Sequence, residues 1–356
     1  MLRLVLALFV LWPAAAYAAS SDYDCAYDPK TTHLSRIVAA DSTGGPLYGV
    51  TVNDAGNKSQ RRTLDLHDHE LVLTFDDGPL GNNTQSILDT LQRHCTKAIF
   101  FTVGKMAMAQ PKLIQEVDRR GHTIGTHTWS HPRAMHTLPP EEAKLEIEKG
   151  FIAVSEAVGR PIAPFFRFPG FRDSQDAVAY LAKRNISVWG TDIISGDADA
   201  GGSSAARITH DVISRIHGTG KGIVLFHDIK KTTAEALDGV LTQLESEGYK
   251  YVQVLSNTVY QPDPELAARP DLFRNTPEMA VATGTGHANP NAKDQQVKDG
   301  SVDVAHTEWI DLDAEIANEK LNGATIGSTG GQPHANAQPS GTLYTATGWA
   351  PARQVR

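Results

Sequence analysis

The 356-residue sequence lacks the features that mark several classes of protein. Its 33 lysine and arginine residues are outnumbered by 41 acidic residues, which gives a net charge of −8. This balance argues against nucleic acid or an anionic membrane as a partner, because both are held by clustered basic side chains. No glycine-rich phosphate loop follows a predicted strand, so a phosphate- or nucleotide-dependent enzyme has no support.

The apolar run at the N-terminus, Leu4 to Trp12, is too short to span a bilayer. It follows a positive start at Arg3 and precedes the small-x-small sequence Ala16-Tyr-Ala18. We therefore expect residues 1–18 to be a signal peptide, with the mature chain exported to the periplasm or beyond the cell. No stable membrane insertion is expected after cleavage. The alternative, an uncleaved anchor, is disfavoured by the short run.

Cysteine is almost absent, with only Cys25 and Cys95 in the chain. An even number of cysteines in an exported protein permits one disulfide, which would tie the N-terminal segment to the main domain. The alternatives are two unpaired thiols, or Cys95 as a small buried hydrophobe.

Hydrophobic residues make up 40% of the chain, which is enough for a sizeable core. Over residues 70–260, apolar runs of strand length alternate with segments of helical periodicity. About seven such repeats predict a parallel sheet with helices outside it. Residues 19–69 are polar and mixed, and we interpret them as an N-terminal arm with short local structure at best.

The composition changes again over residues 261–356, where Gly, Ala, Thr, Asn and Pro dominate. Such a segment can bury little apolar area to offset the entropy lost on ordering, so we predict a low-complexity, largely disordered tail. A small wall-binding module that uses Trp309 and Trp349 is the alternative. Neither interpretation predicts the oligomeric state.

The first strong candidate strand, Leu71–Phe75, ends in the adjacent carboxylates Asp76 and Asp77. Taken alone, this pattern indicates a strand followed by a solvated Asp-Asp-Gly turn. Adjacent carboxylates repel each other unless a positive group lies between them or their roles differ. The segments that follow favour different roles.

His127 and His131 are four residues apart, a spacing that on a helical turn lets two imidazoles share a metal. The pair follows a predicted strand, Thr123–Thr126, and so should lie at the same end of the sheet as the two aspartates. Two imidazoles and one carboxylate leave coordination room for water, and the spare carboxylate can then accept a proton. Without the other motifs, this His pair would be interpreted as two surface residues that bind no metal.

Two further strand ends carry ionisable residues. Arg167 lies within the apolar stretch Phe165–Phe168, where a cation is costly unless it meets a carboxylate, and Asp76 is the evident partner. An arginine that extends to the rim is the alternative. His227 ends the apolar run Gly222–Phe226 and is placed to act as a general acid for a leaving amine.

This ordered set of motifs resembles the polysaccharide deacetylases with the NodB homology domain, carbohydrate esterase family 4. The resemblance covers roughly residues 70 to 255. The matching stretches are TFDDGP at 74–79, HTWSHP at 127–132, RFPG at 167–170, the region of Asp197 and LFHD at 225–228.

The resemblance implies a distorted (β/α)7 barrel and a metal-dependent hydrolase that removes acetyl groups from a carbohydrate, acting on a carbon–nitrogen bond other than a peptide bond. The expected substrates are acetamide groups of N-acetylglucosamine in peptidoglycan or chitin-like oligosaccharides. Acetylated xylan, or binding of glycan without turnover in the cell envelope, are the alternatives. The expected metal is Zn2+, with Co2+, Ni2+ or Mn2+ as alternatives for the same donors.

The family's functional residues carry over by position. Those that resemble metal ligands are Asp77, His127 and His131. Those that resemble the acid–base groups are Asp76 as general base held by Arg167, and His227 as general acid tuned by Asp197. Those expected to contact the acetyl group are the backbone amide of Gly170, which would stabilise the oxyanion, and Leu225, which would line the methyl pocket.

Three positions depart from the family pattern. Gly170 stands where a tyrosine or other bulky residue is frequent, Ile194 replaces an acid of the fourth motif, and Ala198 replaces an aromatic residue. We expect these changes to affect which acyl group or glycan fits, because the metal-binding and proton-transfer positions are all filled.

Overall fold

The structure, a computed structural model, describes residues 34–50, 52–53, 64–198 and 204–267. All of them belong to one compact unit of the chain, residues 1–295. The predicted signal peptide, Cys25 and nearly all of the predicted tail lie outside the described residues, so those predictions, including the Cys25–Cys95 disulfide, stay predictions. No helix in the described ranges is both long and apolar enough to cross a membrane.

Parallel strands form the centre of the described region. In chain order they are β1 (Leu34–Ala40), β2 (Leu47–Tyr48), β3 (Val52–Asn53), β4 (Glu70–Asp76), β5 (Ile99–Thr102), β6 (Thr123–Thr126), β7 (Phe165–Phe166), β8 (Arg172–Asp173), β9 (Ser187–Trp189), β10 (Ile193–Ile194), β11 (Gly222–His227) and β12 (Lys250–Ser256).

Helices connect most of these strands. They are α1 (Gly81–Arg93), α2 (Gly104–Ala109), α3 (Pro111–Arg119), α4 (Pro140–Val158), α5 (Gln175–Lys183), α6 (Ala205–Thr219), α7 (Lys231–Ser246) and α8 (Pro264–Ala267), with short 3₁₀ turns at Met135–Thr137 and Pro169–Phe171.

The strands of the main sheet are hydrogen-bonded in the order β1-β12-β4-β5-β6-β7-β9-β2, and β11 pairs with both β4 and β10. Each of these pairs is parallel. β3 and β8 form a separate small sheet and are also parallel. The carboxyl ends of parallel strands meet at one edge, so the residues that end β4, β6, β7, β9 and β11 gather there. The expected α/β fold, a parallel sheet with helices outside it, is confirmed.

Strand alternation divides the apolar side chains between two cores. Leu71, Leu73 and Phe75 of β4 pack outward against the helices, in a large cluster with the apolar faces of α1, α4 and α7. Val72 and side chains from seven other strands meet in a second cluster, which the strands themselves enclose. This inner cluster lies beneath the polar residues at the strand ends and supports them from below.

The segment predicted as an arm contributes to the sheet, and this part of the prediction was wrong. β1 pairs in parallel with β12 from Leu34–Tyr251 to Ala40–Ser256, and β2 pairs with β9. β1 lies at the edge of the sheet, where Ile37 is 59% exposed. A half-exposed edge strand needs no continuous apolar run, so the sequence pattern gave little sign of it.

Candidate active site

Asp76 ends β4 on the inner face of the sheet. Side chains alternate along a strand, so Thr74 and Asp76 point to the same side as Val72 of the inner cluster. Asp76 is only 2% exposed. Asp77 follows with a left-handed backbone, φ 80°, which turns its carboxylate away from the direction that β4 would have given it. The two carboxylates therefore have different surroundings, although they are adjacent in sequence.

Arg167 lies directly beside Asp76 and is fully buried. Its Nη1 donates to Asp76 Oδ1 at 2.7 Å and to Thr74 Oγ1 at 2.8 Å. Its Nη2 and Nε donate to the backbone carbonyls of Gly190, at 2.7 Å, and Trp189, at 3.2 Å. These acceptors and a ring face, Phe101 at 4.1 Å, hold the guanidinium in one orientation. The buried charge of Arg167 is therefore compensated by the Asp76 carboxylate, and Arg167 in turn fixes the orientation of Asp76.

Asp77, His127 and His131 form the cluster among the described residues that could hold a metal ion, with ligand atoms within 4.8 Å of one another. The Nε2 atoms of His127 and His131 lie 3.5 Å and 3.4 Å from Asp77 Oδ1. That oxygen is buried without a hydrogen-bond partner in the described structure, as expected for a metal-binding atom. Two imidazoles and one carboxylate suit a divalent metal.

The protonation of His127 also fits a ligand. Its Nδ1 lies 2.8 Å from the carbonyl oxygen of Arg167, which can only accept, so Nδ1 carries the proton and Nε2 presents a lone pair to Asp77. Burial is the main reason that the pKa of His127 falls to about 4, and its imidazole is therefore neutral near pH 7. Burial raises the pKa of Asp77, but the nearby His131, His227 and His127 lower it by a larger amount. The net shift of the Asp77 pKa is therefore downward.

The spacing of the two histidines predicted a helical turn, but they do not lie on one. Residues 127–132 form an irregular loop after β6, in which Thr128 and His131 have left-handed φ values of 71° and 57°. The buried Thr128 hydroxyl accepts from the backbone N–H of His131 at 2.9 Å and closes the loop. The imidazole centroids are 4.9 Å apart, so the tight turns of the loop bring the two rings together, as the period of a helix would.

His227 ends β11, where it pairs in register with Asp76 on the neighbouring strand. Its Nδ1 lies 2.7 Å from Asp197 Oδ1, and its backbone N–H donates to Asp197 Oδ2 at the same distance. Thr233 donates to that second oxygen as well. Burial lowers the pKa of His227, but the Asp197 carboxylate outweighs burial and raises it to about 10. His227 is therefore a protonated donor near neutral pH.

Leu225 and Gly170, the residues expected to contact an acetyl group, lie at different depths. Leu225 is buried on the inner face of β11, two residues below His227. Gly170 is exposed in the turn after β7, and a Cβ there would meet nothing within 4 Å. Ile194 is 48% exposed, pairs in register with Leu225 and also lines a cavity beside α6.

Sequence reasoning missed several polar residues that hold these groups. Thr74 accepts from Arg167 and donates to the carbonyl of Val224, and Thr233 donates to Asp197. The signal for Thr74 was present, because it is two residues before Asp76 on a strand and must share its face. Thr233 lies on α7, and nothing in its local sequence points to Asp197.

We expect Arg167→Met to lower the free energy of unfolding by about 3–5 kcal/mol, because it leaves Asp76 buried without its cation. Arg167→Lys should recover only part of this loss, since an ammonium cannot reach all four acceptors. Urea denaturation of the purified variants measures both. Arg207→Met is the matched control, because Arg207 pairs with Asp211 on the surface and such pairs contribute about 0–1 kcal/mol. Equal losses in the two methionine variants would contradict the assigned role of the buried pair.

Residues 64–189 match the family model described as polysaccharide deacetylase. The chain is 35% identical over 184 residues to the peptidoglycan-N-acetylglucosamine deacetylase PgdA of Listeria monocytogenes. This alignment covers 52% of this chain and 38% of that protein. It is 32% identical over 185 residues to a chitooligosaccharide deacetylase of Bradyrhizobium, covering 51% of this chain and 78% of that protein.

Among solved structures, the chain resembles the peptidoglycan deacetylase Bd3279 of Bdellovibrio bacteriovorus. The TM-score is 0.55 with 30% identity, over 69% of this chain and 65% of that one. The chain thus spans well under half of the Listeria relative but more than three quarters of the Bradyrhizobium relative.

Proposed function

Because the chain belongs to the polysaccharide deacetylase family, we propose that it hydrolyses the acetamide groups of N-acetylglucosamine units in peptidoglycan or chitin-like oligosaccharides and releases acetate. The observation that carries the proposal is the arrangement around Asp77. A three-donor cluster lies beside a carboxylate fixed by an arginine, and a protonated histidine lies on the adjoining strand. The names of the Listeria and Bradyrhizobium relatives support the same substrate class.

Asp77, His127 and His131 are proposed to hold the metal. A divalent metal in that position acidifies water and polarises the acetyl carbonyl. Zn2+ is the metal that we propose first, because two imidazoles and a carboxylate are a common zinc set; Co2+, Ni2+ and Mn2+ accept the same donors.

Asp76 is proposed as the general base. Its Oδ1 is engaged by Arg167, whereas its Oδ2 faces His127 Nε2 at 3.8 Å and so lies next to the metal cluster. This oxygen can take a proton from the attacking water as the water oxygen bonds to the acetyl carbon. Arg167 holds the carboxylate in place and prevents it from turning away.

His227 is proposed as the general acid. Nδ1 is held by Asp197, so the proton available for transfer is the one on Nε2. When the carbon–nitrogen bond breaks, this proton passes to the amine nitrogen of the sugar, and acetate leaves separately. The backbone amide at Gly170 is proposed to stabilise the oxyanion, and Leu225 to contact the acetyl methyl group.

Export to the periplasm or the cell exterior is part of the proposal, because both proposed substrates lie outside the cytoplasm. The N-terminal sequence pattern supports export. The acetylated glycan is the only partner that the proposal requires.

The decisive experiment measures acetate released by the purified chain from chitooligosaccharides and from peptidoglycan. We expect turnover that a chelator abolishes and that added Zn2+ restores, with Co2+, Ni2+ and Mn2+ compared in parallel. Acetylated xylan is included as the ester substrate. Release from xylan alone would replace the amide proposal with an esterase, and binding of glycan with no acetate from any substrate would favour a non-catalytic envelope protein.

A further inference from the structure

Asp228 is a buried carboxyl group that the proposed chemistry does not use. It directly follows His227 and is only 1% exposed. Burial raises its pKa to about 7, although hydrogen bonds from the Thr84 hydroxyl and the Gly78 backbone amide lower it. A buried carboxyl group without a catalytic or structural partner would be costly, so its contacts indicate what it does.

The carboxyl group packs directly against the turn that follows β4. A Cβ at Gly78 would lie 1.9 Å from Asp228 Oδ2, so the side chain occupies the space that any other residue at position 78 would need. The backbone N–H of Asp228 donates to the carbonyl of Asp76 at 3.2 Å. Asp228 therefore touches the turn on both sides of Asp77.

Thr84 extends this contact to the far end of the turn. Its hydroxyl donates to Asp228 Oδ2 at 2.7 Å and accepts from the backbone N–H of Leu80, also at 2.7 Å. Leu80 is the N-terminal cap residue of α1 and has no side-chain cap of its own. A parallel link runs from Asn83 Nδ2 to the carbonyl of Ile229 at 2.8 Å. The start of α1 is thus bound to the loop after β11.

The turn between these anchors needs such support because Asp77 is strained. A left-handed backbone at a non-glycine residue costs on the order of 1–3 kcal/mol and persists only where its surroundings enforce it. On the β5 side the turn is held by Asp77 N–H to the Phe101 carbonyl, 3.2 Å, and by Val103 N–H to the Gly78 carbonyl, 3.3 Å. Asp228 and Thr84 supply the opposite side.

We propose that Asp228 and Thr84 are positioning residues for the metal site, which hold the 77–80 turn so that the Asp77 carboxylate faces His127 and His131. This inference deepens the proposed function and rests on its metal site, but not on the identity of the glycan. The pair acts on the ligand geometry through the backbone, because Asp228 packs against Gly78 and the Thr84 hydroxyl bonds to Leu80 N–H and to Asp228.

The test measures Zn2+ dissociation constants by competition with a chromogenic chelator, with no glycan present. Asp228→Ala and Thr84→Val should each weaken Zn2+ binding about 10- to 100-fold, the range for residues that orient metal ligands. Asp228→Asn and Thr84→Ser keep the hydrogen-bonding groups and should stay within about threefold of the wild type, by the same reasoning. The double variant Asp228→Ala/Thr84→Val should lose little more than either single one, because the two side chains act as a unit.

Tyr260→Phe is the matched control, because it removes another buried hydroxyl–carboxyl hydrogen bond, to Glu148, outside the metal cluster. It should lower the Tm of the metal-free protein and leave the Zn2+ dissociation constant unchanged. A folded Asp228→Ala that binds Zn2+ like the wild type would overturn the proposal; if that variant does not fold, equal affinities in Thr84→Val and Thr84→Ser would do so. A wild type that binds Zn2+ but releases no acetate would count against the proposed function only.

Discussion

Asp76→Asn should lower kcat for acetate release by about 10²- to 10⁴-fold while the protein still binds its metal. The range is that of a lost general base. Asparagine keeps the size of the side chain and an acceptor for Arg167 Nη1, so the loss reflects proton transfer more than packing. Metal content of the dialysed protein and acetate release at saturating chitooligosaccharide measure the two effects separately.

Asp77→Asn is the comparison variant, because it separates loss of a metal ligand from loss of the general base. The two aspartates are neighbours in sequence, but only Asp77 has its Oδ1 within 3.5 Å of both imidazole Nε2 atoms. Its replacement should weaken Zn2+ binding at least about 100-fold, since it removes a ligand rather than a supporting group. Excess Zn2+ should then restore part of the activity of Asp77→Asn and none of that of Asp76→Asn. Equal metal loss in both variants would show that the roles are assigned wrongly.

His227→Ala should cost about 10²- to 10⁴-fold in kcat on acetamide substrates, because the leaving amine then receives no proton from the protein. The loss should be much smaller on 4-nitrophenyl acetate, whose leaving group departs without protonation. A similar loss on both substrates would contradict the role of general acid. Metal content of the variant should match the wild type, since His227 is not among the three proposed donors.

Asp197→Asn should move the alkaline limb of the pH profile of kcat to lower pH. Burial by itself lowers the pKa of His227, and the Asp197 carboxylate is what raises it to about 10. Without that charge, His227 loses its proton at a lower pH, and the protonated donor disappears earlier as pH rises. A profile with an unchanged alkaline limb would show that His227 titration does not control turnover. Thr233→Val is the control, because it removes a hydrogen bond to Asp197 and leaves the charge in place.

Much of this site could be predicted because its residues end apolar runs of strand length. Asp76, Arg167 and His227 each follow such a run, and parallel strands place their carboxyl ends on one edge. The division of roles between Asp76 and Asp77 came only from family resemblance. The geometry now supplies a physical basis for it, in the left-handed turn at Asp77 and in the arginine beside Asp76.

What could not be predicted depends on which strands are neighbours. Asp228 and Thr84 meet because β11 lies against β4, and no local pattern in either segment indicates that pairing. The loop conformation of His127 to His131 depends on a hydrogen bond from the His131 backbone to Thr128, which is a matter of turn geometry rather than of spacing. β1 was missed because an edge strand buries little apolar surface.

The pairing of β11 with β4 also sets an order of assembly. The hydrogen bond from the Thr74 hydroxyl to the Val224 carbonyl joins residues 150 apart in sequence, and closing so long a segment is slow relative to local folding. The three proposed metal donors belong to residues 77–131, so they are synthesised well before β11. Although these donors come first, a chain that has not yet docked β11 lacks both the His227 proton donor and the Asp228 contact that is proposed to hold the metal site. It becomes able to complete turnover only when β11 docks beside β4.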